Sequence, residues 1–156
     1  LTELSHEEIE SLDQSRNDEP HRRNSQRRLA QSLTELVHGD AGLASAERAT
    51  QVLFGAEIEY LCDRELLEIF ADVPSCEIPM DRLSGEGLGL IESLVLAGLA
   101  KSNGEARRAI TQGGAYVNNR RRNDLNDRLT TADLAGETVA VLRSGKKRFA
   151  LLRFQK

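Results

Sequence analysis

The residues best suited to chemistry in this chain are arginines and lysines, gathered into three clusters in the last third of its 156 residues. Arg107 and Arg108 form the first, Arg120, Arg121 and Arg122 the second, and Lys146, Lys147 and Arg148 the third. Such side chains hold phosphate oxygens; as permanent cations they are poor general acids or bases at neutral pH. The net charge of −4 conceals a division. Residues 1–90 carry 8 Lys and Arg against 19 Asp and Glu, whereas residues 91–156 carry 13 against 6. The second part is therefore expected to face a polyanion. Aromatic residues make up 4% of the chain, so base-stacking platforms are not expected, and recognition of a folded, double-helical RNA by shape is.

Other chemistry finds little support. Cys62 and Cys76 form no C-x-x-C pair, and His6, His21 and His38 have no ligand spacing, so no metal site is expected. The two thiols read as reduced cysteines of a cytoplasmic protein. Paired acids such as Glu7-Glu8 have the pattern of a solvated helix face. The acidic, mixed start is no signal peptide, and no apolar run nears the roughly 18 residues of a membrane helix. The chain begins at Leu1 and its single methionine is Met80, which leads us to expect either a processed product or an excised piece of something longer.

The elements that position the clusters follow from periodicity and punctuation. Ser5 and Glu8 have the spacing of a capping box, with Leu4 and Ile9 placed for a hydrophobic staple. A second helix is predicted from Pro20 to Val37 or His38, stopped by Gly39, with Leu29, Leu33, Leu36 and Val37 on one buried face. Arg27 and Arg28 point away from that face. A third helix is predicted over about 41–54 and a shorter one over about 63–70. Residues 74–89, with Pro74, Pro79, Gly85, Gly87 and Gly89, read as a linker.

Beyond it, a short helix over about 90–97 ends at Gly98. A second capping box, Ser102-Asn103-Gly104-Glu105, opens a helix running to about Gln112. Ala106, Ala109 and Ile110 mark its buried face and leave Gly104, Arg107, Arg108 and Thr111 outside. The free N–H groups at its start suit a phosphate. Ala115-Tyr116-Val117 is a strand entering a tight turn at Asn118-Asn119. Residues 138–143 and 147–154 should pair as a hairpin across Ser144-Gly145. The fold class is α+β: a small N-terminal helical bundle (1–73), a linker (74–89) and a domain (90–156) of two short helices packed on a small, mainly antiparallel sheet.

The run Leu94-Val95-Leu96-Ala97-Gly98-Leu99-Ala100-Lys101-Ser102-Asn103-Gly104-Glu105-Ala106-Arg107-Arg108-Ala109-Ile110, then Gly113 and Tyr116-Val117-Asn118, resembles the RNA-binding domain named after the fourth ribosomal small-subunit protein. Ser102, Ala106, Arg107, Ile110, Gly113, Val117 and Asn118 match that pattern. Asn103 stands where a basic residue often follows the serine, and Asn119 where glycine commonly follows the asparagine. Upstream, Leu4 to Glu10, Gln26-Arg27-Arg28-Leu29-Ala30, Leu36-Val37-His38-Gly39 and Ala46-Glu47-Arg48-Ala49 resemble the helical region that follows the catalytic fold of bacterial tyrosyl-tRNA synthetases. Arg143-Ser144-Gly145-Lys146-Lys147-Arg148-Phe149 resembles the C-terminal hairpin of the same family.

The resemblance implies a division of labour. The parent enzyme, a class I aminoacyl-tRNA synthetase, uses ATP to activate tyrosine and loads it onto tRNA(Tyr). This fragment would bind the anticodon side and the long variable arm, take no cofactor and be inactive alone. Ser102, Asn103, Arg107, Arg108, Arg120, Arg121, Lys146 and Lys147 would contact RNA, and Arg23, Arg27 and Arg28 would do so on the helical side. The fragment would be a monomer, and the parent a homodimer through its catalytic domain. The alternative is a free-standing structured-RNA-binding factor acting in ribosome assembly or stress. An accessory domain of a ribosomal-RNA-modifying enzyme and a protein–protein module are further readings.

Overall fold

The structure, a computed structural model, describes residues 5–18, 20–58 and 61–155. It divides into two compact units, Leu1–Gln51 and Val52–Lys156.

In the first unit, α1 (His6–Asp18) starts where the capping box predicts. The Glu8 amide donates to Ser5 Oγ at 3.3 Å and the Ser5 amide to Glu8 Oε2 at 3.0 Å. The predicted staple involves Leu4, outside the described residues. A 3₁₀ turn, Pro20–Arg22, precedes α2 (Asn24–Leu53), so the second helix begins later than Pro20 suggested. Gly39, the predicted stop, is a kink: its φ of 71° and ψ of −179° separate two arms that correspond to the two predicted helices. Gln31 Nε2 donates across the kink to Glu47 Oε1 at 2.7 Å.

The face expected to be buried is not. Leu29, Leu33, Leu36 and Val37 are 49%, 39%, 66% and 69% exposed. Periodicity decides which residues share a face, but burial also requires an opposing apolar surface. Helix α1 contributes no buried residue, and the one buried residue of α2, Val52, falls in the second unit.

The second unit is built on a five-stranded sheet in the order β1-β7-β6-β3-β4, comprising β1 (Ser75–Pro79), β3 (Ala115–Val117), β4 (Arg120–Arg122), β6 (Val139–Ser144) and β7 (Arg148–Gln155). Only the β1–β7 pairing is parallel. A two-stranded ladder joins β2 (Leu88–Gly89) to β5 (Arg128–Leu129). Alternation along the strands gives the sheet two apolar faces. Ala140, Leu142, Ala150 and Leu152 pack with Leu90 and Leu94 of α4 (Leu90–Leu96) and with Ala106 and Ile110 of α5 (Asn103–Thr111). Val139, Val141 and Leu151 pack on the other face with Leu66 of α3 (Asp63–Ile69), with Phe70, and with Val52, Ile58 and Leu61.

This second face corrects the expected boundaries. Residues 74–89 are not a linker: they supply β1, a 3₁₀ turn (Met80–Leu83) and β2, and Ile78, Leu83 and Leu88 are buried. Helix α3, assigned from sequence to the N-terminal bundle, covers the sheet. Its N-terminal Asp63 carboxylate accepts from the amides of Glu137 (2.8 Å) and Thr138 (2.9 Å). Glycine and proline density marked the chain's turns but missed the five-residue strand between them, because the run Ser75-Cys76-Glu77-Ile78 has too few apolar residues to show alternation.

Candidate nucleic-acid interface

Helix α5 is set by its cap and its apolar face. Ser102 is extended (φ −158°, ψ 161°), and its Oγ accepts from the Glu105 amide at 3.3 Å. Glu105 closes the box one residue further back than predicted, accepting from the Lys101 amide at 2.8 Å. Ala106 and Ile110 are buried, which turns Arg107 and Arg108 to solvent. Arg108 Nε lies 3.4 Å from the Gly104 carbonyl along its own helix, and Arg107 has no acidic partner among the described residues.

The other two clusters reach the end of this helix through Gly113 and Gly114. Arg121, on β4, folds back so that its Nε donates to the Gly113 carbonyl at 2.8 Å. Its guanidinium occupies the space where a Cβ on Gly113 would stand, and the Gly113 φ of +68° favours glycine. The Gly145 amide, in the β6–β7 turn, donates to the Gly114 carbonyl at 2.7 Å. That bond holds the turn bearing the exposed Lys146 and Lys147 beside the exit of α5. Arg148 Nη2 is 3.5 Å from the Gly98 carbonyl at the end of α4. The helix and both turns thus meet around Gly113-Gly114.

Two arginines of the second cluster are engaged elsewhere. Arg120 Nε pairs with Glu57 Oε2 at 3.0 Å. Arg122 is held by Asp127 at 3.1 Å and by Asp133, half-buried, as a structural ion pair. The alternation of β4 explains the split: Arg121 faces one way, Arg120 and Arg122 the other. Asn103 is exposed in the first turn of α5, where its side chain borders a cleft formed with Ile91, Glu92 and Asn126.

The β3–β4 turn is itself a junction. Asn118 and Asn119 both have positive φ, 49° and 63°, as the predicted tight turn demands. Asn118 Oδ1 accepts from the Val141 amide at 2.9 Å, and its Nδ2 donates to the Asp133 carbonyl at 2.8 Å. Asn119 is 7% exposed, and its Nδ2 donates to the carbonyls of Val52 (2.8 Å) and Ala56 (2.7 Å). At the position where the family pattern commonly has glycine, this chain therefore uses a side chain to bond the Val52 carbonyl in the last turn of α2 and the Ala56 carbonyl just beyond the helix.

In the first unit, Arg23 has a φ of 53°, and its carbonyl accepts from the Arg27 amide at 3.0 Å at the start of α2. Arg27 is exposed and lines the cleft between the two arms of that helix. Arg28 is half-buried and 3.6 Å from Glu8. Hydrogen bonds from Ser5, with a smaller contribution from Arg28, hold the Glu8 carboxyl below the usual carboxylate range.

Sequence reasoning missed an arginine half-buried in the sheet, its Nε wholly covered. Arg143 lies over the Tyr116 ring at 3.9 Å from its centroid and 5.8 Å from that of Phe149. The signal was available in the alternation of Val139-Ala140-Val141-Leu142-Arg143, which puts the arginine on the same face as Val139 and Val141.

A small α+β domain presenting cations from a capped helix and two turns defines a module suited to phosphate rather than to bond-making chemistry. The family model described as the tyrosine–tRNA ligase SYY-like C-terminal domain matches residues 65–152, and the chain belongs to that family. It is 53% identical over 155 residues to the tyrosine–tRNA ligase of Rhodopirellula baltica, covering 99% of this chain and 35% of that protein. The tyrosine–tRNA ligase of Roseiflexus castenholzii is 45% identical over 153 residues, covering 98% and 36%. Among solved structures, a tyrosyl-tRNA synthetase C-terminal domain is similar with a TM-score of 0.51 and 36% identity, over 65% of this chain and 98% of that one. The chain thus spans about a third of the length of these ligases.

Proposed function

We propose that this chain is the tRNA-binding C-terminal part of a tyrosine–tRNA ligase, a class I aminoacyl-tRNA synthetase of the cytoplasm. The whole enzyme activates tyrosine with ATP and attaches it to tRNA(Tyr). The second unit grips the long variable arm, and the helical unit approaches the anticodon side. The observation that carries this reading is the gathering of α5, Arg121 and the Lys146-Lys147 turn around Gly113-Gly114.

Arg107, Arg108, Arg121, Lys146 and Lys147 bind phosphates of a folded RNA; Ser102 and Asn103 approach the backbone at the start of α5. Arg120 contributes after exchanging Glu57 for a phosphate. Arg23, Arg27 and Arg28 act on the helical side. Such contacts give affinity and salt dependence more than base readout. The contribution to aminoacylation is positional: a tRNA held still presents its acceptor end to chemistry performed elsewhere in the enzyme. The chain alone is a monomer, and the whole enzyme a homodimer through its catalytic domain.

The test is a competition gel with tRNAs of long and short variable arm. Preference for the long arm supports the reading, and equal affinity counts against it. Arg107→Glu with Arg108→Glu should weaken binding at least about tenfold, or roughly 1.4 kcal/mol. An unchanged dissociation constant, with circular dichroism intact, rejects the assignment of these arginines.

A further inference from the structure

The half-buried arginines of the chain differ in one respect. Arg28 faces Glu8, Arg122 faces Asp127 and Asp133, and Arg153 faces Glu77 at 3.5 Å. Arg143 has no oxygen partner among the described residues, and its Nε is buried without a hydrogen bond. A guanidinium stays charged at any physiological pH and carries five N–H donors. Its stack on Tyr116 replaces part of the lost hydration, but a π face does not satisfy in-plane donors.

The surroundings explain what such a group can hold. Register places Arg121, Tyr116, Arg143 and Phe149 directly opposite one another across β4, β3, β6 and β7. The result is a row across the sheet in which Tyr116, Arg143 and Phe149 stand on the face away from α4 and α5, while Arg121 at its end folds back to the Gly113 carbonyl. Phe149 is anchored by Phe70, with ring centroids 5.3 Å apart. At the Arg143 position, Nη1 lies 3.0 Å from where a Cβ on Gly55 would stand. The preceding residue, Phe54, is 88% exposed, more than any other large apolar side chain described. A bare ring next in sequence to the glycine that adjoins an unpaired guanidinium is the arrangement that binds an unpaired nucleotide, base on ring and phosphate on cation.

We propose that Arg143, stacked on Tyr116, and the exposed ring of Phe54 form a second RNA contact that takes one unpaired nucleotide. The guanidinium edge holds its phosphate and Phe54 stacks on its base. This rests on the tRNA-binding reading above, but uses the opposite face of the sheet from α5. It also revises the sequence-based expectation that so few aromatics exclude stacking: Tyr116 and Phe149 stand in register with Arg143, and Phe54 presents a bare ring.

The test is fluorescence anisotropy of the full chain with a labelled tRNA(Tyr) transcript over a series of KCl concentrations. Phe54→Ala should weaken binding about tenfold and leave the salt slope unchanged, because a ring releases no counterions. Arg143→Gln should weaken binding to a similar extent and flatten the slope of log K against log salt by about one. Arg143→Lys should recover the slope but not the affinity, since an ammonium keeps the charge and loses the planar stack. If Arg143→Gln disturbs the fold by circular dichroism, Phe54→Ala decides alone, as its ring is solvent-exposed. Parent-like affinity for Phe54→Ala, together with parent-like affinity and slope for a folded Arg143→Gln, overturns the site. If Arg107→Glu with Arg108→Glu is weakened in the same assay, the tRNA-binding reading survives that result. A parent chain that binds no tRNA removes both.

Discussion

Both units carry apolar patterns and use them differently. In the second, Leu66, Ile110, Val141, Leu142 and Leu152 are fully buried, because a sheet with two apolar faces meets helices on both. In the first, Leu29, Leu33, Leu36 and Val37 share one helix face and stay exposed. The lesson is that amphipathicity specifies a face, whereas burial depends on what the rest of the fold brings to it.

The sharpest way to break this contrast is a pair of truncations. Leu142→Ala, at the centre of the sheet, should cost about 2–5 kcal/mol in urea unfolding followed by circular dichroism. Leu36→Ala should change stability by no more than about 0.5 kcal/mol. Equal losses would mean that the helical stripe is covered after all.

Next in size is the Asn119 junction. Asn119→Gly keeps the backbone free to adopt positive φ but removes the side-chain donor of the Ala56 carbonyl and leaves the Val52 carbonyl with the Gly55 amide alone, and should cost about 1–3 kcal/mol. Asn119→Ala should cost about 1 kcal/mol more, the added strain of a left-handed residue with a Cβ. Faster hydrogen exchange around Val52 to Ile58 in both variants would locate the damage; unchanged exchange would show that the amide is dispensable.

The two capping serines give a smaller, matched comparison. Ser102→Ala should lose about 1 kcal/mol, read as a lower urea midpoint of the second unit. Ser5→Ala removes an equivalent cap from α1, which buries nothing, and should register as lost helicity with no shift in that midpoint.

The smallest effect is pH dependence at the same cap. The Glu8 carboxyl is depressed below its ordinary range by Ser5 and Arg28. Its contribution to α1 is therefore present above the unfolded carboxylate value and fades as pH falls through the lower folded value. Helical ellipticity should decline on acidification, and less so in Glu8→Gln; identical acid profiles would remove the ion from the account.

These tests map onto what could be read in advance. Caps, stops and the terminal hairpin were legible because each depends on a few neighbours: Ser5 with Glu8, Ser102 with Glu105, and Gly98 with the end of α4. The meeting of the arginine clusters was expressed in sequence only as three groups, since the bonds that join them, Arg121 to Gly113 and Gly145 to Gly114, link residues on different elements. Strand β1 and the docking of α3 were hidden for the same reason. Ser75-Cys76-Glu77 is a strand because β7 offers it a partner, and Leu66 and Phe70 face the sheet because Val139, Val141 and Leu151 need cover. Arg120 and Arg122 looked equivalent to Arg121 until strand alternation turned them toward Glu57 and toward Asp127 and Asp133.

The order of the sheet leaves β1 and β4 as its two open margins. Unpaired strand margins recruit other chains and seed aggregates. Here one margin is three consecutive arginines, two of them held in ion pairs with Glu57, Asp127 and Asp133, and an added strand would have to desolvate these charged side chains. The other ends in Pro79, which lacks the N–H that an incoming strand would need. Neutralising Arg120, Arg121 and Arg122 together would therefore do more than weaken any grip on phosphate: it would expose a bare selvedge on which copies of the chain could stack.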